Sequence, residues 1–475
     1  MELKKLSTLA LSGVLFASVM GLTSCNSSSV GVKKGDTIFH KNAYVEVENI
    51  PERIHLKVEL PGAVEYINVG TRVRINKDQV KYSKGILSID GKAFLNEKGV
   101  SKLNSGEKRL SIKCKDVTSM QNVPLLFVDK VIKTADELQQ INNNPSGSYI
   151  LGNDIDCSSI TNFEPLGYVT TPTSDRINQE FLGVFDGNGY AIKNLTSRYS
   201  LNMASEKEMV KNQNYLFDDE SHKAGNQFGV FQIIGASGIV RNTAFINCKV
   251  YGRTMAGVIA GQNSGLIENC FVDANSSASI STHFYDEACN VGGLVGLNDA
   301  DDTDQCIRNC ISLASCYISD QFIGYGDEYV EENTRLWLEA NPDGDISTVP
   351  QDQLKSWTFY GSTKGSDKID SNGKETNGVY AGVGMSFGSV YNCYAKKFTI
   401  SNSEFSMEAS FGQTHLFNNK NGDGPDSGNL VNCAVKTEEE LKSAALYESF
   451  PTDSWNIFDG SIPSLKAYYA FEIAK

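Results

Sequence analysis

The hydrophobic pattern of this chain repeats around an asparagine. In six segments that can be set in register, an aliphatic residue is followed by a variable, often charged residue and then by Asn, and in four of these copies Cys comes next. In register, the copies are Ile192-Lys193-Asn194-Leu195, Val240-Arg241-Asn242-Thr243, Ile267-Glu268-Asn269-Cys270, Ile307-Arg308-Asn309-Cys310, Val390-Tyr391-Asn392-Cys393 and Leu430-Val431-Asn432-Cys433. An inward aliphatic residue beside an outward polar one predicts an extended strand that ends at the Asn.

The six asparagines are predicted to be corners of a coiled chain. Asn tolerates left-handed backbone, and its amide both donates and accepts, so stacked copies can hydrogen-bond along a column. The residue after each Asn is compact enough to point into a narrow interior, where a free Cys behaves as a small hydrophobe. Glycines before the corners, such as Gly257, Gly261 and Gly265, are expected to allow tight bends. The predicted structural ladder therefore consists of Asn194, Asn242, Asn269, Asn309, Asn392 and Asn432, with Cys270, Cys310, Cys393 and Cys433 inside.

The spacing of the copies predicts a solenoid. Asn242 and Asn269 are 27 residues apart, and the longer intervals are interpreted as this unit plus loops. A repeat of this length built from short β-rich runs is typical of a parallel β-helix. Parallel crossovers are almost always right-handed. The predicted fold class is therefore all-β, a right-handed parallel β-helix of six coils.

A small antiparallel β-sandwich, Ig-like, is predicted before the solenoid at residues 36–129, where short alternating runs are separated by Pro and Gly turns. The solenoid is assigned to 130–436, with an insert at about 317–378, and a C-terminal cap to 437–475. Capping boxes beginning at Thr134 and Thr437 predict short helices, expected to cover the two open ends.

The N-terminus resembles a bacterial lipoprotein signal. Lys4 and Lys5 precede an apolar run at 6–20 that is short for a membrane span, and Leu22-Thr23-Ser24-Cys25 resembles a lipobox. This pattern predicts a signal peptide at 1–24, lipidation of Cys25 and a flexible tether at 25–35. The alternative is an ordinary secretory signal. The expected location is the cell envelope, with the outer membrane favoured and its surface or periplasmic side left open.

The repeat itself resembles a known family. Residues Gly257 to Val272 are similar to the GLUG repeat, G-x-L-V-G-x-N-x-G-x-I-x-N-C-Y-A, and partial copies follow at Gly293 to Cys310 and Gly378 to Ala395. Phe181 to Tyr190 resembles the opening of such helices. The resemblance implies a β-helix surface protein, and it carries little information about activity.

Composition limits the partners. The formal charge of the chain is −14, and a protein that binds phosphate backbones needs a basic face, so nucleic acid is not expected. Ten cysteines follow Cys25. Stacked strands hold equivalent Cβ atoms about 4.8 Å apart, which is wider than the roughly 3.8 Å of a disulfide, so free thiols are predicted for the column. A disulfide among Cys289, Cys306 and Cys316 is left open.

The insert carries the candidate ligand-binding residues. Helices are predicted at 328–340 and 351–357, and the aromatic residues of this segment, which suit stacking on sugar rings, are Trp337, Trp357, Phe359 and Tyr360. The alternative is that these aromatics form the core of the insert itself, because a long excursion needs apolar mass to order.

Calcium is the one candidate cofactor. Clustered oxygens are offered by Asp299, Asp301, Asp302 and Asp304. A second loop, 419–424, begins like an EF-hand but has Leu430 where the bidentate Glu belongs. Solvated turns explain both loops equally well.

The sequence favours display over catalysis. Glycan-cleaving β-helices need carboxylates that converge on one face, and the outward positions of the repeats (Lys193, Arg241, Glu268, Arg308 and Tyr391) contain no such column. The predicted function is a lipid-anchored, non-enzymatic envelope protein for adhesion or for recognition of a glycan or protein. The alternatives are a polysaccharide lyase or glycoside hydrolase and a structural component of a surface assembly.

Overall fold

The computed structural model of the protein describes residues 30–40, 42–167, 180–198, 227–252, 255–281, 290–300, 304–319, 321–325, 330–354, 356–360, 378–401, 406–414, 429–466 and 471–474. The signal peptide, Cys25 and residues 26–29 of the tether lie outside these residues. Among the described residues, no helix is both long enough and apolar enough to cross a bilayer.

The chain winds through five short parallel sheets, which we call faces 1 to 5 in the order in which one coil passes them. Face 1 consists of Lys130–Ile132, Tyr149–Leu151, Val184–Asp186, Ile239–Arg241, Leu266–Glu268, Ile307–Arg308, Val390–Tyr391 and Leu430–Val431. Face 2 consists of Ile155–Asp156, Ala191–Lys193, Ala244–Ile246, Phe271–Val272, Ile311–Ser312, Tyr394–Lys396 and Ala434–Lys436. Face 3 consists of Thr196–Arg198, Lys249–Gly252, Ser277–Ser281 and Ser315–Ser319. Face 4 consists of Gln227–Phe228, Met255–Gly257, Asn290–Gly292 and Val379–Tyr380. Face 5 consists of Phe231–Ile234, Ala260–Asn263, Val295–Asn298, Val383–Ser386 and Gly412–Thr414.

The predicted parallel β-helix is confirmed by the strand register. Val240 pairs with Ile267, Ile267 with Ile307 and Ile307 with Val390, each in the parallel sense, so the aliphatic positions of the repeat stack. The hand of the coil stays a prediction. Face 1 has eight strands rather than the six expected. Three of them precede the first stacked Asn, and five carry the repeat pattern, because the strand before Asn194 belongs to face 2.

The repeat glycines serve close stacking as well as the bends expected of them, since Gly265 lies in a bend between Ala260–Asn263 and Leu266–Glu268. A Cβ on Gly265 would lie 2.3 Å from the carbonyl oxygen of Gly238 in the preceding coil, closer than real atoms approach. Neither residue is among the glycines with positive φ. Gly is therefore required there because the backbones of successive coils meet without room for a side chain.

The N-terminal domain is a sandwich of two five-stranded sheets. One contains, in spatial order, Phe471–Ile473, Thr37–Phe39, Arg53–Lys57, Ile86–Asp90 and Val80–Ser83; we call it sheet A. The other contains Tyr44–Glu46, Gln121–Val128, Gly106–Cys114, Val64–Val69 and Val73–Asn76; we call it sheet B. The prediction of purely antiparallel pairing was wrong for Thr37–Phe39 and Tyr44–Glu46, since each runs parallel to one neighbour.

The last strand of the chain belongs to the sandwich, which corrects the assignment of all of 437–475 to a cap. Phe471–Ile473 pairs antiparallel with Thr37–Phe39 and extends sheet A by one strand. The short β-rich run Phe-Glu-Ile can add to the open edge of that sheet, whereas sequence order alone places it with the preceding segment.

The rest of the C-terminal segment covers the side of face 2 rather than only an end of the solenoid. Leu441, Tyr447, Phe450 and Trp455 form one buried cluster with the outward residues of face 2, Ile311 and Tyr394 among them. Its capping box is present, since the Glu440 amide donates to Thr437 Oγ1 and the Thr437 amide to Glu440 Oε2. The segment stabilises the solenoid by burying apolar side chains on an exposed sheet.

Helices are few among the described residues. We number the α-helices α1 (Ala135–Gln139), α2 (Val330–Ala340) and α3 (Gln351–Leu354). Short 3-10 segments are Lys77–Gln79, Gly91–Phe94, Gln140–Asn143, Ile346–Thr348, Glu440–Lys442 and Ala444–Tyr447. The predicted N-cap of α1 is confirmed, because Thr134 Oγ1 accepts from the Glu137 amide. The return bond of a capping box is shifted by one residue, since Glu137 accepts from the Lys133 amide and not from that of Thr134. Leu138 of α1 is fully buried in the core at the start of the solenoid.

The insert begins later than predicted. Ser315–Ser319 still pairs in register with face 3, so the insert starts after Ser319 and face 4 resumes at Val379. Gln321–Tyr325 and Ser356–Tyr360 form an antiparallel pair beside α2 and α3. The predicted helix 351–357 was wrong beyond Leu354, because the run Trp-Thr-Phe-Tyr favours a strand.

Two further antiparallel pairs complete the described elements. Thr399–Ser401 pairs with Ser406–Glu408, and Trp455–Asn456 pairs with Ser464–Leu465.

Candidate functional site

Five of the six predicted asparagines stack at the corner between faces 1 and 2. Asn242, Asn269, Asn309, Asn392 and Asn432 all have positive φ, between 51° and 54°. The amide Nδ2 of Asn269 donates to Asn242 Oδ1 at 3.3 Å, and Asn432 Nδ2 donates to Asn392 Oδ1 at 2.9 Å. The column therefore combines a left-handed corner in each coil with hydrogen bonds between coils.

Asn194 lies in a second column, which corrects its place in the ladder. Its strand pairs with Ala244–Ile246, so Asn194 stacks beneath Asn247 at the corner between faces 2 and 3. Asn247 Nδ2 donates to Asn194 Oδ1 at 2.9 Å, and Asn194 Nδ2 donates to Asp156 Oδ1 at 3.1 Å. In the first column, Gly187 lies beneath Asn242, and the Asn242 amide donates instead to the preceding residue, Asp186, at 3.1 Å.

A third polar column, absent from the sequence analysis, closes the corner between faces 5 and 1. Asn263 Nδ2 donates to Asn298 Oδ1 at 2.9 Å, and Asn298 Nδ2 donates to Ser386 Oγ at 3.1 Å. All three side chains are fully buried. In the sequence, this column is indicated by the Asn that ends two similar segments, Ala260-Gly261-Gln262-Asn263 and Val295-Gly296-Leu297-Asn298. Like the other columns, it satisfies buried backbone and amide groups, which is a structural role.

The cysteine column consists of free thiols, as predicted. Cys270, Cys310 and Cys393 are fully buried, Cys433 is half-buried, and none of the four forms a disulfide. Each thiol donates to the carbonyl two residues earlier, as Cys310 Sγ does to Arg308 O at 3.2 Å. Burial raises the pKa of Cys270 and Cys393 well above the ordinary value. Burial acts in the same direction on Cys310, but hydrogen bonds from the Cys270 and Cys393 thiols outweigh it and lower the pKa of Cys310. Because all three thiols are enclosed in the solenoid, the column fills space.

Charges on the outside of face 1 are paired. Arg241 Nε lies 2.7 Å from Asp186 Oδ2, and Arg241 Nη1 lies 3.0 Å from Glu107 Oε1 of the sandwich. Burial lowers the pKa of Arg241, but the attraction of Asp186 and Glu107 outweighs it and leaves that pKa raised. Glu268 Oε2 accepts from both Nε and Nη2 of Arg308. These carboxylates are therefore engaged in ion pairs.

The predicted insert residues are only partly described. Trp337 is half-buried, and its ring packs so closely on Gly344 that a Cβ there would lie 2.4 Å from ring atom Cη2. Trp357, Phe359 and Tyr360 lie on one strand, where Trp357 and Phe359 share a face by alternation. The side chains of these three residues lie outside the described residues.

The candidate calcium-binding loop is likewise only partly among the described residues. Asp299 and Asp304 are exposed, whereas Asp301 and Asp302, like the loop 419–424, lie outside the described residues. Within the described part of the chain, no group of three or more acidic, His or Cys side chains has the arrangement to hold a metal ion.

A column of outward-facing side chains on face 3 is the arrangement with the clearest binding chemistry. The register places Arg198, Tyr251, Ser279 and Tyr317 directly above one another in four successive coils. The guanidinium of Arg198 lies 4.9 Å from the centroid of the Tyr251 ring. In addition to burial, the phenol of Tyr317 raises the pKa of the Tyr251 phenol across the small, buried Ser279, which lies between them in the column. We call Arg198, Tyr251 and Tyr317 the tyrosine column.

The tyrosine column is open to solvent and is flanked by hydroxyl groups. Tyr317 is 39% exposed, a large fraction for an aromatic side chain on a sheet. Burial raises the pKa of the Tyr251 phenol, and Tyr317 adds to that shift, so the phenol stays neutral at physiological pH. The neighbouring outward row of the same strands contains Thr196, Lys249, Ser277 and Ser315. The sequence analysis missed this column because its members are far apart in the chain.

Comparison with known proteins adds little to this geometry. No family model matches the chain. Over 167 residues, 34% of this chain, it is 27% identical to Halomucin of Haloquadratum walsbyi, and the match spans 2% of that protein's length. A solved structure of IgA1 Protease aligns with 82% of this chain and 27% of its own, at a TM-score of 0.30 and 13% identity. Neither match assigns a family, and the β-helix fold rests on the strand pairing itself.

Proposed function

We propose that this protein is a lipid-anchored envelope protein whose solenoid binds a glycan along the tyrosine column without cleaving it. The observation that carries the proposal is the stacking of Arg198, Tyr251 and Tyr317 on the outside of a rigid sheet. Coils repeat at about 4.8 Å, so the column extends over about 14 Å, the scale of a short oligosaccharide.

The chemistry of the column suits a sugar chain. Tyrosine offers an apolar ring and a hydrogen-bonding hydroxyl with few rotatable bonds, so it binds with a small loss of conformational entropy. Arg198 and Lys249 add donors, and Ser277 and Ser315 add hydroxyls along one side. Because strands hold these groups in place, binding requires little reorganisation of the protein.

Binding without turnover follows from what face 3 lacks. Glycoside hydrolysis by the common route uses two carboxyl groups about 5–9.5 Å apart across the scissile bond. None of the four strands of face 3 contains Asp or Glu. On face 1, the carboxylates of Asp186 and Glu268 are held in ion pairs with Arg241 and Arg308.

The envelope location is supported by the sequence. The lipobox-like Leu-Thr-Ser-Cys25 supplies an anchor, and the resemblance to GLUG-repeat surface proteins agrees with display from a membrane. In this proposal the sandwich is the spacer and the solenoid is the presented module. Protease treatment of intact cells, with lysed cells as the control, decides whether the solenoid faces outwards.

A glycan array tests the binding proposal. The mature chain carrying Cys25→Ser is applied beside the Tyr251→Ala/Tyr317→Ala variant and beside Trp337→Ala, the matched aromatic control in the insert. We expect defined glycans to bind to the parent chain and to Trp337→Ala, and to be lost from the tyrosine variant. Loss with Trp337→Ala alone would place binding in the insert instead. Release of reducing ends from any bound polysaccharide would contradict a non-enzymatic role.

A further inference from the structure

The charge of the chain is divided unequally between its two domains. Residues 30–129 contain 17 Lys and Arg against 12 Asp and Glu, a net charge of +5, whereas residues 130–475 contain 24 against 44, a net charge of −20. A basic domain beside a strongly acidic one indicates a separate, anionic partner for the basic domain.

The positive charge gathers at one end of sheet B, around the turn between Val64–Val69 and Val73–Asn76. Arg72, Arg74 and Arg109 are exposed there, and Lys108 lies beside them. Burial lowers the pKa of Lys108, and the positive charge of Arg72 lowers it further. Like charges are therefore held close together. By strand alternation Lys108 lies on the opposite face of its strand from Arg109, so we call Arg72, Arg74 and Arg109 the arginine platform.

The carboxylates on the outer face of sheet B bind other groups of the protein and do not neutralise the arginines. By strand alternation this face presents Glu46 and Glu107 along with Arg74 and Arg109. Glu46 Oε1 accepts from the Val131 amide at 2.9 Å, and Glu107 pairs with Arg241 of the solenoid. No ion pair joins Arg72, Arg74 or Arg109 to a carboxylate within the described part of the chain. Their charge is available to a ligand.

The same face carries the other groups that a sugar chain uses. The Arg74 guanidinium lies 3.9 Å from the centroid of the Tyr66 ring. Across the register from Arg74 lie Asn68 and Ser111, and Ser111 Oγ bonds Asn122 Oδ1 at 2.9 Å. These exposed polar groups surround the arginines with amides and hydroxyls. An apolar centre typical of a protein–protein interface is not among them.

The shape of the face selects the class of partner. Towards the opposite edge of the sheet, Leu126 and Val128 are buried against Ile150 and Val184 of the solenoid. The solenoid therefore rises from the same face, and a flat bilayer cannot lie against it. An extended polymer chain can lie along the face beside the solenoid. The geometry points to a second binding site, in which the arginine platform holds a carboxylated polysaccharide through charge-assisted hydrogen bonds to its uronate groups. Planar guanidinium groups match carboxylates in paired hydrogen bonds.

This inference does not depend on the tyrosine column. Its test uses the mature Cys25→Ser chain with alginate as the probe, neutral dextran as the control polymer, and calorimetry in low salt. We expect alginate but not dextran to bind, and binding to fade in high salt, where the screening length falls from about 10 Å at 0.1 M to about 3 Å at 1 M.

Matched variants locate the site. Arg74→Gln/Arg109→Gln should weaken alginate binding by roughly tenfold or more, since hydrogen bonds to charged groups contribute the most. Lys57→Gln/Lys81→Gln, which removes the same charge from exposed positions of sheet A, should leave binding within about twofold, because screened charges on another sheet contribute little. Arg74→Lys/Arg109→Lys keeps the charge but not the planar fork, and we expect an intermediate loss. Tyr251→Ala/Tyr317→Ala should bind alginate normally.

Four results would overturn the inference. Absence of alginate binding in low salt is the first. Equal losses in the arginine and lysine variants would show a general charge effect rather than a site. Loss in the tyrosine column variant would place alginate on face 3. Tighter binding to phosphatidylglycerol vesicles than to alginate, abolished by the same arginine variant, would assign the face to a membrane.

Discussion

Replacing Asn269 with Leu tests the asparagine column at its most connected position. Asn269 has a φ of 52°, is almost fully buried, and donates to Asn242 Oδ1 at 3.3 Å. Its own Oδ1 accepts from the indole Nε1 of Trp455 at 3.3 Å, which joins the column to the C-terminal segment. Leucine keeps a similar size but loses every one of these interactions.

The expected cost comes from two sources. A left-handed conformation costs an ordinary side chain about 1–2 kcal/mol. Leaving the buried Trp455 indole N–H without an acceptor costs about 1–3 kcal/mol, and the lost bond to Asn242 contributes about 1 kcal/mol. We therefore expect Asn269→Leu to lower the free energy of unfolding by about 3–5 kcal/mol. Asn269→Gly, which accepts positive φ, should lose about 1–2 kcal/mol less.

Urea unfolding followed by circular dichroism measures both variants against the parent chain, with the slope of the transition compared to detect a change of mechanism. Glycan binding of folded Asn269→Leu should be unchanged, since the column is structural. The reasoning is refuted if Asn269→Leu unfolds within about 0.5 kcal/mol of the parent, the range of ordinary surface substitutions. If Asn269→Leu and Asn269→Gly lower the free energy of unfolding equally, the left-handed backbone does not contribute to the cost.

Three further predictions address the ion pair, the buried histidine and the thiols. Arg241→Gln leaves the buried Asp186 carboxylate unpaired and should cost about 3–5 kcal/mol in urea unfolding, whereas Glu107→Gln, at the exposed rim, should cost less than about 1 kcal/mol. Burial lowers the pKa of His55 below the ordinary 6.5, and Asp36 only partly offsets it, so the unfolded chain binds the proton more tightly. Stability should be complete above about pH 6.5 and fall as the pH drops towards the folded pKa; melting curves at several pH values check this, and His55→Asn should flatten them. Iodoacetamide labelling read by peptide mass should modify half-buried Cys433 before Cys393, and equal rates would contradict the enclosed column.

The sequence predicted the structure correctly at positions where every coil has the same physical requirement and the same type of residue meets it. The corner asparagines need left-handed backbone and a stacked amide, and the compact residues after them need a narrow interior, so both were predictable from register. The fold class followed from these positions, because coils that repeat such a corner can bury their aliphatic residues only by stacking.

The predictions were wrong where the place of a residue in the fold depends on which strands pair. Asn194 and Asn242 share a sequence pattern but stand at different corners, because the strand before Asn194 pairs with Ala244–Ile246. Asn247, on which Asn194 stacks, does not fit the repeat pattern, because the residue two positions before it is the aromatic Phe245 and not an aliphatic residue. Only register separates the two columns.

The candidate binding residues were harder to predict for the same reason. Tyr251 and Tyr317 are brought together by two steps of strand pairing through Ser279, and no local pattern marks them. The closure of the sandwich by Phe471–Ile473 is likewise a contact between the two ends of the chain. Long-range pairing of this kind is a property of the folded register, which a single sequence does not encode locally.

The measurement that tests the central claim most directly is a calorimetric titration of the glycan selected on the array into the parent chain and the Tyr251→Ala/Tyr317→Ala variant. The account predicts a loss of about 2 kcal/mol or more, roughly 30-fold in Kd, with unchanged circular dichroism and melting temperature. Equal affinities in the two proteins would contradict the claim that the tyrosine column on face 3 is where this solenoid binds.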